Sequence, residues 1–143
     1  MKKLIVMLIL VIASASNAAT TINNYSFGEM RTMVISWTAE ADGSFVAAQT
    51  NAINGVIWWV ETDPGATAPT AAYDITLKNA DGLDVMGGKL ADRSATATEG
   101  SQPYDAGGSV YLKIPVRGPL TIAITNNIVN AAVGTITIFY FTY

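Results

Sequence analysis

The side chains best able to do chemistry in this chain are two adjacent tryptophans, a scatter of carboxylates and one short acidic turn. Trp58 and Trp59 sit together in Val56-Ile57-Trp58-Trp59-Val60-Glu61, and exposed indoles stack on sugars or anchor partner proteins. A regular strand sends neighbouring side chains to opposite faces. On that geometry Trp58, in step with Val56 and Val60, belongs to the core, and Trp59 covers the other face or a subunit contact. A carbohydrate platform needs two or three coplanar rings, which this spacing does not supply. Asn79-Ala80-Asp81-Gly82-Leu83-Asp84 offers oxygens of the kind a calcium ion takes, but it lacks the distal bidentate Glu. An Asp-Gly hairpin turn accounts for the same residues. Glu61, Asp63, Asp74, Asp84 and Glu99 would suit glycoside hydrolysis only if two of them faced each other with separated pKa values, and no spacing singles out such a pair.

Two absences narrow the chemistry further. The chain has no His and no Cys, so a Ser-His-Asp triad, a Cys-His pair and the common zinc sites are excluded. Disulfides are excluded with them, and apolar burial and sheet hydrogen bonding must hold the fold together. No catalytic residue, cofactor or metal is therefore expected. The cations Arg31, Lys78, Lys89, Arg93, Lys113 and Arg117 are too scattered to neutralise a phosphate backbone, so nucleic-acid binding is not expected either.

The N-terminus has the marks of a secretory signal. Lys2 and Lys3 precede an apolar run from Leu4 to Ala13, and small residues lead to Ser16-Asn17-Ala18, a small-x-small cleavage pattern. The run is about ten residues where a membrane helix needs roughly 20. The expected product of cleavage is a single domain, residues 19–143, with no stable membrane span, delivered to the periplasm, the exterior or a virion. Without Lys2 and Lys3 the 8 cations become 6 against 11 acids, a net charge of −5.

The elements that must position any site are strands, because the hydrophobic period is two almost throughout. Met33, Ile35 and Trp37 share one face. Ala41-Asp42-Gly43 is a tight-turn signal, and residues 44–50 are expected to return as a partner strand. Residues 56–61 are apolar on both faces and bounded by turn signals, the mark of a central strand. In the loop that follows, Asp63 is expected to cap a turn preset by Pro64, with Gly65 left-handed. Tyr73, Ile75 and Leu77 alternate with polar residues, and Asp81-Gly82 turns the chain into residues 83–86. Residues 87–109 form the longest expected loop. Val110, Leu112, Ile114 and Val116 line one face of a strand that Pro115 confines to a sheet edge. Strands at 120–125 and 135–143 complete about eight short ones, which indicates an all-β fold, a single antiparallel β-sandwich or jelly roll following a signal helix. The aromatic C-terminus, Phe139 to Tyr143, also fits a small outer-membrane barrel, but strands of about six to eight residues fall short of the roughly 9–11 that span a bilayer.

Between residues 60 and 99 the run Thr62-Asp63-Pro64-Gly65, Ala68-Pro69-Thr70, Tyr73-Asp74-Ile75-Thr76-Leu77, Asp81-Gly82, Asp84-Val85, Gly87-Gly88, Arg93-Ser94 and Thr98-Glu99 resembles small β-rich structural proteins of tailed bacteriophages. The likeness extends to Ile35-Ser36-Trp37-Thr38, Asp42-Gly43, Leu120-Thr121-Ile122, Asn126-Asn127 and Gly134-Thr135. Its motifs are turn and strand signatures and carry over no catalytic residue. The resemblance implies a virion component attached to capsid or tail, although such proteins usually begin at the first strand without an export signal.

Together these readings predict a non-enzymatic structural or attachment protein, a phage decoration or tail-associated subunit or a related extracellular assembly subunit. It would associate with copies of itself or with other virion proteins through sheet edges and the interface candidates Trp59, Phe139 and Phe141. The competing expectation is a secreted module that binds glycans or a cell surface through Trp59 and the 89–109 loop.

Overall fold

The computed structural model describes residues 19–105 and 110–143; the expected signal peptide with its helix, and positions 106–109 of the long loop, lie outside the described residues. The chain forms β1 (Ala19–Phe27), β2 (Met30–Thr38), β3 (Ala48–Gln49), β4 (Ile53–Pro64), β5 (Asp74–Lys78), β6 (Glu99–Ser101), β7 (Ile114–Gly118), β8 (Thr121–Thr125) and β9 (Val133–Thr142). The larger sheet runs β1-β2-β9-β4-β6, with β7 also paired to β4, and the smaller runs β3-β8-β5. Every pairing is antiparallel. The fold is an all-β sandwich, as the period-two patterning requires.

Each strand contributes alternate residues to a core between the sheets. Met33, Ile35 and Trp37 of β2 meet Ile136, Ile138 and Tyr140 of β9 and Ile53, Ile57 and Val60 of β4; Ile75, Leu77, Ile122 and Ile124 close the core from the smaller sheet. Fully burying side chains of this size stabilises the fold by about 1.5–3 kcal/mol each. β4 is central, as its two-sided apolar pattern requires, and Pro115 lies in β7, whose sole strand partner among the described residues is β4.

Several local expectations are corrected. Residues 44–50 do not pair with β2. The Asp42-Gly43 turn does form, with Gly43 at φ 85° and its N–H donating to Glu40 O at 3.0 Å, but β2 is already flanked by β1 and β9. The returning chain therefore crosses over and reaches the smaller sheet as β3. The strand expected from Val110 begins only at Ile114, and Val110 and Leu112 are exposed. Asp63-Pro64-Gly65 is no turn: β4 continues through Pro64, and Gly65 has no left-handed φ. A Cβ on Gly65 would instead collide with Val133, so the glycine permits close approach of the loop to β9. The N-terminal strand β1 was not anticipated, although Asn23, Tyr25 and Phe27 alternate ahead of a Gly28-Glu29 turn.

Candidate functional site

The candidate site is the outer face of the larger sheet, built around a β-bulge. Ile57 pairs with Tyr140 and Trp59 with Phe139, leaving Trp58 as the extra residue. A bulge of this kind reverses the inside–outside alternation beyond it. Ile53, Gly55 and Ile57 point inward before the bulge, and Val60 and Thr62 do so after it. Trp58 and Trp59 consequently share the outer face. The assignment of Trp58 to the core fails for this reason: its in-step neighbour Val60 is buried, whereas Trp58 is 45% exposed.

Directly opposed residues of antiparallel strands share a face, so the register arranges the outer side chains in rows across four strands. One row is Phe27, Met30, Phe141 and Val56; the next is Tyr25, Thr32, Phe139 and Trp59. Further along the strands the rows turn polar: Asn23, Val34, Thr137 and Glu61, then Thr21, Ser36, Thr135 and Asp63. One end of the face is thus aromatic and the other is threonine- and carboxylate-rich. Phe27 is 83% exposed and Phe141 41%, and no described element packs over the aromatic end. Patches of this kind on a soluble domain mark contact surfaces.

The three interface candidates all lie on this face, in different settings. Trp59 is half-buried, its indole resting on Gly100, where a Cβ would collide with the ring, and its Nε1–H donates to Glu61 Oε1 at 3.1 Å. Phe139 is half-buried beside it. Phe141 meets Trp58 edge to face, with centroids 6.4 Å apart and planes at 74°. Val56, Trp58, Lys113 and Phe141 line a shallow groove of about 390 Å³. Its rings are not coplanar, so they offer no flat stacking surface for a sugar. Beyond the sheet, Tyr104 and Tyr111 pack with centroids 4.1 Å apart, and Lys89 Nζ sits 4.1 Å above the Tyr104 ring. The hydrogen bond to Tyr111 pushes the Tyr104 phenol up to about 12. Tyr25 and Phe27, missed with β1, belong to the aromatic end, as does Met30 at the start of β2.

The carboxylates hold backbone in place. Asp84 accepts the N–H groups of Leu77 and Met86 through Oδ1 and that of Gly88 through Oδ2. Asp74 accepts from Asp92 N and Asn126 Nδ2, Asp63 from Thr98 Oγ1 at 2.8 Å, and Glu99 from Ser94 N while pairing with Arg93 at 3.7 Å. In the acidic turn, Asn79 Oδ1 accepts from Asp81 N and Leu83 N, and Gly82 takes φ 80°. This is the hairpin turn that Asp81-Gly82 encodes. Among the described residues no cluster of three or more acidic side chains could hold a metal.

Among the described residues no helix is long and apolar enough to cross a membrane. Compared with known proteins, the chain matches no family model, no curated sequence and no solved structure.

Proposed function

We propose that this chain is a non-enzymatic structural subunit, a β-sandwich that builds or decorates an extracellular or virion assembly and associates with copies of itself. One observation carries the reading: the aromatic end of the outer face, with Phe27, Met30, Phe141, Val56 and Trp58 in adjoining positions, is left without a covering layer. A face of this composition gains free energy by contact with another surface, at about 25 cal/mol per Å² of apolar area removed from water. Placement in a phage particle rests on the sequence resemblance alone.

Sedimentation of the purified protein across a concentration series tests the reading. Reversible association is expected, with higher-order species lost in the Trp58→Ser/Phe141→Ser double variant. A wild-type protein that stays monomeric overturns the proposal, and so does a tryptophan-fluorescence response to polysaccharide in that monomer.

A further inference from the structure

The edges of the two sheets differ sharply in how they end. β3 has two residues and β6 three, and β7 carries Pro115 and Arg117. The outer side of β5 is covered by the 79–93 segment. There Ile75 N donates to Leu90 O, Leu77 N to Asp84 Oδ1, Val85 N to Leu77 O and Arg93 N to Tyr73 O. Shortness, proline, charge and covering loops are the devices that keep sheet edges from pairing with other chains.

β1 uses none of these devices. Its nine residues, Ala-Thr-Thr-Ile-Asn-Asn-Tyr-Ser-Phe, contain no charge, no proline and no glycine. All nine pair with β2 without interruption. Of its inward side chains only Ile22 is an apolar group packed against the core, and Asn24 and Ser26 are exposed. Among the described residues nothing pairs with the backbone groups on its far side, which form an open ladder.

We propose, resting on the assembly reading above, that β1 is the dimerisation edge, pairing antiparallel with β1 of a second copy about a two-fold axis through Asn23. The strand is self-complementary about that residue. Phe27, the most exposed large apolar side chain among the described residues, falls opposite the partner's Ala19. Tyr25 falls opposite the partner's Thr21, and the two Asn23 amides meet on the axis, all on the outer face. On the inner face Ser26 falls opposite Thr20, and Asn24 opposite Ile22. Large side chains thus meet small ones and polar side chains meet polar or aliphatic ones, with no charge brought into the junction. The contact is isologous and closes after two copies. The two larger sheets become one continuous sheet, and its outer face alternates aromatic and threonine-rich ends across the axis.

The chain has no cysteine, so a single introduced thiol reports the geometry. Under mild oxidation Asn23→Cys is expected to form a disulfide dimer. Thr20→Cys alone is expected not to, because six residues of stagger hold its two copies about 20 Å apart. An equimolar mixture of Ala19→Cys and Phe27→Cys is expected to give the mixed dimer. In sedimentation, Asn23→Lys is expected to weaken the dimer roughly fivefold by setting like charges opposite each other, and mixing it with Asn23→Glu is expected to restore pairing. If Asn23→Cys stays uncrosslinked while the wild type still associates, the edge proposal is overturned and the assembly reading stands. A wild type that is monomeric throughout overturns both.

Discussion

At the scale of single residues, the buried polar atoms show where stability is held and where it leaks. Tyr73 is fully buried, its ring centroid 6.0 Å from that of Trp37, and among the described residues its hydroxyl has no hydrogen-bond partner. Burial pushes this phenol up to about 12, above the ordinary value near 10 that it regains on unfolding. The unfolded chain therefore releases the proton first, and stability present below pH 10 or so is lost as the pH rises toward about 12. Tyr73→Phe is expected to leave stability at neutral pH unchanged or raise it by about 1 kcal/mol, since an unsatisfied hydroxyl leaves the core. It should also flatten the alkaline loss, which urea melts at several pH values would read. Asn127 is the opposite case. Its Nδ2 donates to Gly43 O and Val129 O, and its Oδ1 accepts from Thr70 N and Val129 N, so one side chain ties three loops together. Asn127→Ala is expected to cost about 4 kcal/mol in chemical denaturation, at roughly 1 kcal/mol for each of the four hydrogen bonds lost. The sequence marks Asn126-Asn127 as a turn. It does not show this tie, because the partners lie 57 and 84 residues away.

At the scale of elements, periodicity made several of the strands legible. Met33-Ile35-Trp37 and Tyr73-Ile75-Leu77 point into the core as their spacing demands. It failed where a single residue breaks step. The Trp58 bulge leaves no trace in a pattern that reads equally apolar on both faces, so the outward turn of Trp58 could be seen only once β9 fixed the register. The same logic gives a deletion test. Removing one tryptophan of the pair leaves Ile57 opposite Tyr140 and the remaining indole opposite Phe139, an unbroken ladder. That variant is expected to melt within about 1 kcal/mol of the wild type, whereas deleting Ile57 would drive an indole into a filled core position and cost about 3 kcal/mol or more. Thermal denaturation followed by circular dichroism separates the two. The expected hairpin that does not form has a comparable cause: local turn chemistry at Asp42-Gly43 was read correctly, but which strand a turn serves depends on pairings that close much later in the chain.

At the scale of the whole molecule, sandwich architecture follows from composition and alternation, while function is legible only as a distribution of surface. The aromatic end, the threonine-rich end and the bare β1 edge emerge when strands distant in sequence are set side by side. The full chain carries a formal charge of −3, and the β1 edge carries none. Added salt should therefore tighten self-association by screening repulsion between like-charged copies, opposite to the response of an interface held by ion pairs. Sedimentation at low and high ionic strength would show the sign of the effect. The position of β9 adds a constraint in time. It is the last of the nine strands in the sequence, yet it fills the middle of the larger sheet, pairing with β2 across about a hundred residues of chain and with β4 on its other side. Until the ribosome has delivered β9, β2 and β4 have no neighbour to join them. The nascent polypeptide cannot lock shut before then, and a chain cut short of β9 would lack the keystone and leave the two halves of the arch unsupported.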